Sequence, residues 1–215
     1  MGRRISVFAI QALATEEQQV VSPNETDVLD RLFLKARTYN DWLPRAVPLN
    51  LLRKIYEVAR MGPTSMNSSP LRLVFVTSPQ AKTKLIETLS PGNRRKTENA
   101  PVTVIFARDT RFFEQLGRLF PHANVRPLFE ADAALAEETA RRNVALQAAY
   151  FMLAARAEGL DCGPMSGFDR AALDAAFFPD GSWRCDFLCN LGYGAPSSLY
   201  ERLPRLDFAE AAQVV

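Results

Sequence analysis

The sequence predicts an α+β domain in which helices outnumber strands. Apolar residues recur at helical spacing in several segments, and the longest is the alanine-rich segment that begins at Asp132. Residues 71–77, 101–107 and 187–191 form the short apolar runs that are typical of buried strands. Because helices and strands do not alternate regularly, a layered α+β arrangement fits this order better than a doubly wound parallel sheet.

The predicted helices are delimited by capping residues at their starts and by glycine or proline at their ends. Gly62-Pro63 ends the second helix, and Gly159 ends the longest one. In chain order, helices are expected over residues 23–36, 48–61, 78–89, 132–158 and 169–178, with a brief final helix from Asp207. Residues 109–130 are aromatic without a regular period, so irregular structure is expected there.

Length and composition fit a single globular domain. The chain has 215 residues, of which 47% are hydrophobic and 23% are charged. We expect an N-terminal arm over residues 1–21 and one domain over residues 22–215. The net charge is only +2 and the basic residues are scattered, which argues against nucleic acid as a partner. No apolar run reaches the length of a membrane span, so a membrane is not expected as a partner either.

The three cysteines, Cys162, Cys185 and Cys189, form no CxxC motif, and the chain has one histidine. A metal site is therefore not expected, and no GxSxG, GxGxxG or P-loop motif is present. The odd number of cysteines favours free thiols in a reducing compartment, so we expect a cytoplasmic protein. Residues 3–14 share features with a signal peptide, but Gln11 interrupts their short apolar run, which favours a simple extension.

A polar connector between the second helix and the first strand is the clearest candidate ligand site. Residues 62–70, GPTSMNSSP, place short hydroxyl and amide side chains between prolines. Such groups donate and accept hydrogen bonds without burying charge, which suits a polar, flat ligand. The connector alone does not identify that ligand.

Five segments, in chain order, resemble the motifs of the nitroreductase family of FMN enzymes. They are residues 37–42, residues 63–71, residues 93–96, residues 164–169, and the pair Arg202 and Arg205. The strings ARTYNDW, GPTSMNSSP, RLFPHA, PMSGFD and ERLPRLDF further resemble the malonic semialdehyde reductase branch of that family. The resemblance implies a nitroreductase-like three-layer fold with a central, mainly antiparallel sheet flanked by helices, and a homodimer with FMN at its interface.

The resemblance also implies which residues bind FMN. A guanidinium group pairs well with phosphate oxygens, and the resemblance implies that Arg37, Arg202 and Arg205 bind the FMN phosphate. Neutral groups of the connector, and Thr38 of the segment 37–42, would line the phosphate and ribityl chain. The connector residues are Pro63, Thr64 and Ser65. Amide side chains would read the pyrimidine edge of the ring: Asn40, Asn67 and Asn93. Without the resemblance, each of these arginines would fit a solvated surface charge better than a phosphate ligand.

Two segments would contact the reactive part of the flavin. A cation beside N1 and the C2 carbonyl stabilises reduced flavin, and the resemblance gives this role to Lys96. In the loop of Pro164, Met165, Ser166 and Gly167, the last two amides would approach N5 and O4, and Gly167 allows a close approach because it has no Cβ. Without the resemblance, Lys96 fits a solvated basic turn and the loop fits an ordinary helix entry.

The implied activity is an FMN-dependent NAD(P)H oxidoreductase that reduces malonic semialdehyde to 3-hydroxypropionate by ping-pong hydride transfer through flavin N5. The flavin is the reactive group, and the proton donor stays open between Tyr39, Ser166, backbone amides and water. Candidate substrate-binding residues are Tyr39, His122 and Arg126, the last as a partner for a carboxylate.

Two departures from the family motifs keep other functions open. Ser69-Pro70-Leu71 replaces the family's Gln-Pro-Trp, and Ser166 replaces its Glu. Both changes remove bulk or charge near the ring, which suits a small substrate. One alternative is a nitroaromatic or quinone NAD(P)H reductase of the same fold. The other is a flavin-binding protein without catalytic activity.

Overall fold

A computed structural model describes residues 27–215. The predicted N-terminal arm at residues 1–21 and the start of the first predicted helix, at residues 23–26, lie outside the described residues. The described end of the first predicted helix includes a π-helical turn at Asp30–Leu34. Within residues 27–215, no helix is long and apolar enough to cross a membrane.

One antiparallel sheet of four strands lies at the centre of the described structure. The strands are β1 (Leu71–Val76), β2 (Val102–Asp109), β3 (Asp161–Met165) and β4 (Trp183–Gly192). Their order in the sheet is β1-β2-β4-β3, so β1 and β3 form the two edges. The predicted α+β class and antiparallel sheet are confirmed.

Helices cover both faces of this sheet. Their bounds are α1 (Leu49–Ala59), α2 (Pro79–Glu87), α3 (Pro91–Asn99), α4 (Leu116–Leu119), α5 (Arg126–Ala131), α6 (Ala133–Ala157), α7 (Arg170–Phe177) and α8 (Phe208–Ala211). Short 3-10 turns lie at Ser65–Asn67, Phe112–Gln115 and Pro196–Ser198. The predicted caps of α2, α6 and α7 are present, since Ser78, Asp132 and Asp169 each accept a bond from the N–H three residues on.

The two faces of the sheet bury separate cores because side chains alternate along each strand. On one face, Val104 and Phe106 of β2 pack with apolar residues of α1 and α6, including Ile55 and Phe151. On the other face, Ile105 packs with apolar residues of α2 and α7. The three layers are therefore helices, sheet and helices.

Two strand predictions were wrong. The sequence did not predict β3, and β4 begins at Trp183 rather than at residue 187. The β3 sequence, DCGPM, contains Gly163 and Pro164, which are rare within strands. Both are accommodated because β3 is an edge strand, where a missing N–H leaves no ladder bond unmade.

Two helical regions were also mispredicted. No helix was predicted where α3 lies, because PGNRRKTEN offers almost no apolar side chain for a helical pattern. Residues 109–130 were expected to be irregular, yet they contain a 3-10 turn, α4 and most of α5. Phe112, Leu116 and Phe129 from these short elements form a third cluster with the start of α6, so tertiary packing stabilises them.

Candidate functional site

The loop after β3 is held against α3 by Asn93. The side-chain amide of Asn93 donates to the carbonyl oxygen of Gly167 over 2.8 Å, and the Ser90 N–H donates to the same oxygen over 3.1 Å. A Cβ at Gly167 would lie 2.7 Å from the Asn93 side-chain nitrogen, so only glycine fits without a shift. Within residues 27–215 the N–H groups of Ser166 and Gly167 make no hydrogen bond, so both are available to a ligand.

Lys96 of α3 presents a half-buried ammonium beside this loop. Its Nζ lies 3.5 Å from Asn40 Oδ1, and within residues 27–215 no carboxylate forms an ion pair with it. Burial lowers the pKa of Lys96, because partial removal from water disfavours the charged form. A half-buried cation without an anionic partner is a ready site for an anionic ligand group.

Two residues that the sequence analysis did not assign to the site fix the backbone of Lys96. The Lys96 carbonyl accepts bonds from Trp42 Nε1 over 3.0 Å and from the Asn190 side-chain amide over 3.2 Å. Asn190 is fully buried in β4, and its Oδ1 accepts from the Thr103 hydroxyl. An asparagine within the otherwise apolar run of residues 187–191 is the signal that could have identified it.

The segment from Thr38 to Asn40 runs along the edge of β3 that faces away from β4 and leads to Lys96. Thr38 pairs with Cys162 in a parallel bridge, and the Tyr39 N–H donates to the Cys162 carbonyl over 3.3 Å. The Tyr39 ring covers Gly194, where a Cβ would lie 2.1 Å from it. Burial, and then the Asp161 charge, raise the pKa of Tyr39, so its hydroxyl keeps its proton at neutral pH.

The arginines predicted to bind phosphate connect the two ends of the described chain. Arg37 donates to the carbonyl of Tyr200, and Arg202 donates to the carbonyls of Leu34 and Ala36 over 2.8 and 3.0 Å. Arg37 and Arg202 therefore lie close together, next to Thr38. Among the described residues, the guanidinium of Arg205 donates only to carbonyls of its own segment, those of residues 203 and 204.

The connector, residues 62–70, is fixed by long-range hydrogen bonds. The Ser65 N–H donates to Asn143 Oδ1 over 2.8 Å, and Asn67 Nδ2 donates to the Leu119 carbonyl over 2.9 Å. Thr64 Oγ1 accepts from the N–H of Ser69 over 3.2 Å. Three non-glycine residues have positive φ, with 52° at Met66, 50° at Asn67 and 42° at Ser69. Such strain persists only where surrounding contacts hold it, and it is concentrated at functional sites.

Within one chain, the connector and the Lys96 region lie at opposite ends of β2. The Asp109 N–H, at the end of β2, donates to the carbonyl of Pro70, whereas α3 comes just before Val102 at its start. At about 3.4 Å per residue in an antiparallel strand, these ends are roughly 24 Å apart. The connector also precedes edge strand β1, whereas Gly167 follows the other edge strand, β3. One chain does not bring the two groups together.

The candidate substrate residues His122 and Arg126 belong to the connector's end of the molecule. They follow α4, whose last residue, Leu119, accepts the bond from Asn67. Exposed His122 packs edge-on against Phe120, with ring centres 5.4 Å apart. The guanidinium of Arg126 is paired with Glu130 at 2.7 Å and with Glu114 at 3.9 Å, so much of its charge is already balanced.

Comparison with known proteins identifies the family. The sequence model described as "Nitroreductase family" matches residues 35–193, which include the connector, α3 and the loop after β3. The chain belongs to the nitroreductase family.

A full-length relative supports this membership. A protein of Stutzerimonas stutzeri (strain A1501), named "Putative NADH dehydrogenase/NAD(P)H nitroreductase", is 54% identical over 190 residues. The match covers 88% of this chain and 97% of the relative. The predicted family and enzyme class, an oxidoreductase of the nitroreductase family, are confirmed.

Solved nitroreductase structures share the fold at low sequence identity. A crystal structure described as a "putative nitroreductase" from Bacillus subtilis has a TM-score of 0.80 at 19% identity, covering 88% of this chain and 100% of the other. Another, from Exiguobacterium sibiricum 255-15 and described as a complex with FMN, has a TM-score of 0.76 at 18% identity, covering 88% and 96%. The predicted nitroreductase fold is confirmed.

Two of the positions where this nitroreductase-family chain departs from the family motif line an open space. Ser69 and Leu71 line a cavity of about 830 Å³ at the connector, between α1, α4 and edge strand β1. The Leu71 N–H is fixed by Gln147 Oε1 over 3.0 Å. A leucine in place of the family's tryptophan leaves more room in this cavity.

Proposed function

We propose that the protein is an FMN-dependent NAD(P)H oxidoreductase that reduces malonic semialdehyde to 3-hydroxypropionate. The observation that supports it most is the half-buried Lys96 ammonium, which has no carboxylate partner within residues 27–215. It lies beside a loop whose Ser166 and Gly167 amides make no hydrogen bond within the same part of the chain. Both features suit a ring system with carbonyl oxygens and an acceptor nitrogen.

The described residues fit FMN from one end to the other. Arg37 and Arg202 offer guanidinium groups next to Thr38, where a phosphate would be neutralised. From the Thr38–Cys162 bridge, β3 extends about 10 Å to Met165 at about 3.4 Å per residue, and the loop beyond it leads to Gly167. The arginines and the loop therefore lie apart, as the two ends of an elongated ligand require. FMN, when bound, supplies hydride transfer between NAD(P)H and the acceptor.

The chain's own residues would orient the ring and stabilise charge on it. Lys96 would place a positive charge beside the pyrimidine edge, held by the bonds of Trp42 and Asn190 to its carbonyl. Asn40 and Asn93 lie next to this position and would read the same edge. The loop amides of Ser166 and Gly167 would donate to the ring without moving, because Asn93 and Ser90 already fix the Gly167 carbonyl.

We further propose that each FMN site is shared by two copies of the chain. The connector residues Pro63, Thr64, Ser65 and Asn67 are predicted to bind FMN, yet within one chain they lie roughly 24 Å along β2 from the Lys96 region. In a symmetric dimer the connector of one copy can face the Lys96 region of the other. Exposed Tyr56, Val58, Met61 and Leu146, on α1, α6 and the residues just after α1, offer apolar surface for such an interface.

Complementation tests the shared site. Lys96→Glu and Asn67→Asp each introduce a negative charge toward the proposed flavin, and each homodimer should lose most of its activity. Mixed dimers, isolated with two different tags, should regain about half of the wild-type activity, because one of their two sites has no substitution. Mixed dimers no more active than the mean of the two homodimers would contradict the shared site.

Anaerobic stopped-flow spectroscopy tests the function. Bound FMN should be bleached by NADH or NADPH, and its absorbance should return when malonic semialdehyde is added. A colourless protein that cannot be reconstituted with FMN would contradict the cofactor. Flavin that no nicotinamide reduces would instead support a flavin-binding protein without catalytic activity.

A second candidate function keeps the flavin and changes the acceptor to a nitroaromatic or a quinone. The name of the Stutzerimonas stutzeri relative, which includes NAD(P)H nitroreductase, favours it. Turnover of malonic semialdehyde, a nitroaromatic and a quinone on one preparation distinguishes the two candidates. We expect the aldehyde to have the highest kcat/KM, because Leu71 and Ser69 remove bulk that would stack on a large aromatic acceptor.

A further inference from the structure

The cavity at the connector has one wall that the proposed flavin contacts do not use. Asn67 and Pro63 line it on the connector side, and Leu73, Phe75 and Phe151 form its apolar floor. The remaining wall comes from the 3-10 turn and α4, through Gln115, Arg118 and Leu119. Because Leu119 accepts the hydrogen bond from Asn67 Nδ2 over 2.9 Å, this wall is tied directly to the connector.

Arginine supplies the positive charge of the cavity lining, and two of the three arginines are already neutralised. Arg60 is paired with Glu57 at 2.7 Å. Arg72 is paired with Asp109, and its guanidinium also donates to the carbonyls of Ser69 and Leu71. Both guanidinium groups are therefore held by the protein itself.

Arg118, the third arginine of the cavity lining, is not neutralised by a carboxylate within residues 27–215. Its guanidinium is exposed and makes one weak hydrogen bond, to Gln115 Oε1 over 3.4 Å. It follows that Arg118 is the arginine of this lining whose charge is free to meet an anion.

We propose that Arg118 binds the carboxylate of the acceptor and so selects anionic substrates. This inference rests on the proposed function, since it assumes that the acceptor is bound in the cavity beside Asn67. A guanidinium fork takes a carboxylate through two parallel hydrogen bonds, which fixes the orientation of a small acid more firmly than a lysine would. Arg118 thereby takes the role that the sequence suggested for Arg126, whose charge is balanced by Glu130 and Glu114.

The first test measures binding rather than turnover. Calorimetric titration of the FMN-loaded protein with 3-hydroxypropionate should show affinity that falls roughly 10- to 100-fold in Arg118→Gln. Arg118→Lys keeps the charge without the fork and should recover part of that loss. Two controls, Arg126→Gln and Arg53→Gln, remove exposed arginines outside the cavity lining and should leave the affinity within twofold. An equal loss of affinity in Arg118→Gln and in Arg126→Gln would overturn the assignment of the carboxylate to Arg118.

The second test separates this inference from the choice of acceptor. The kcat/KM for 4-nitrobenzoate should exceed that for nitrobenzene in the wild type, and Arg118→Gln should abolish the preference. Arg53→Gln, an exposed substitution outside the cavity lining, should keep both the preference and the rate of flavin reduction by NADH. Suppose that malonic semialdehyde is not reduced, but that the wild type prefers 4-nitrobenzoate and Arg118→Gln does not. The proposed acceptor is then wrong and the carboxylate site stands. If the wild type prefers neither 4-nitrobenzoate nor malonic semialdehyde over a neutral analogue, the carboxylate site is wrong.

Discussion

The side-chain amide of Asn93 and the carbonyl oxygen of Gly167 form a 2.8 Å hydrogen bond that ties α3 to the loop after β3. A side chain at Gly167 would push this amide aside, since a Cβ would lie 2.7 Å from the Asn93 nitrogen. The loop amides and Lys96 therefore keep a fixed relation to each other.

Gly167→Ala should weaken FMN binding by about tenfold, the equivalent of about 1.4 kcal/mol, because the added methyl displaces the loop from Asn93. Quenching of FMN fluorescence in a titration of the apoprotein measures this. Gly92→Ala is the matched control, since a Cβ at Gly92 meets nothing within 4 Å. An unchanged FMN affinity in Gly167→Ala would show that the loop does not contact the flavin.

Lys96→Gln should make the two-electron midpoint potential of bound FMN more negative, because a cation beside the ring stabilises the reduced form. We expect a shift of roughly 30 mV, which for a two-electron couple corresponds to about 1.4 kcal/mol. Anaerobic redox titration with reference dyes measures the potential. Arg95→Gln, an exposed substitution on the same helix, should shift it by less than a third of that amount. Equal shifts in the two variants would contradict a local role for Lys96.

Asp161 gives a pH-dependent test. Burial is the main influence and raises the pKa of its carboxyl, against the lowering effects of the Gly194 N–H and the Arg156 charge. The folded protein therefore holds this proton more tightly than the unfolded chain. Its contribution to stability is full below the ordinary pKa of 3.8 and is lost as pH rises through the raised pKa.

Asp161→Asn imitates the protonated carboxyl at every pH and can still accept the bond from the Gly194 N–H. Its melting temperature should exceed that of the wild type at pH 7, and the difference should vanish near pH 3. Asp180→Asn is a control of opposite sign, because bonds from Ser182 lower the pKa of Asp180. It should lower the melting temperature at pH 7. A difference for Asp161→Asn that does not depend on pH would contradict the assignment.

Arg108 should be essential to stability, because it is 2% exposed and pairs with Asp186 at 2.6 Å and Glu137 at 2.8 Å. Arg108→Met leaves the largely buried Asp186 carboxylate without its main partner and should cost about 3–5 kcal/mol of unfolding free energy. Urea denaturation measures this.

Adding Asp186→Asn to Arg108→Met should recover part of the lost unfolding free energy, since it removes the unpaired charge. The matched control is Arg111→Gln, which breaks a pair with Glu114 between exposed and partly exposed side chains and should cost less than about 1 kcal/mol. A loss in Arg108→Met no larger than in Arg111→Gln would contradict the importance of the buried pair.

The sequence predicted most of the regular elements but not the whole sheet. Segments with a strong period and a clear cap, such as α6 after Asp132, were placed to within about a residue. β3 and α3 were missed because their local sequences oppose the structure they adopt. Gly163 and Pro164 are tolerated at a sheet edge, and the polar α3 is held by contacts such as the bond from Trp42 to the Lys96 carbonyl. These are tertiary contacts, which no local pattern reports.

The sequence by itself determined the fold class, the family and the set of residues predicted to bind FMN, because residue types and their order suffice for a motif. Only the tertiary structure decided how those residues are grouped. It brings Lys96, Asn40, Asn93 and Gly167 together at one end of β2 and the connector to the other, since antiparallel strands carry neighbouring segments to opposite ends of the sheet. It also decided which arginines are free, because pairing with carboxylates depends on distances in space rather than on spacing along the chain.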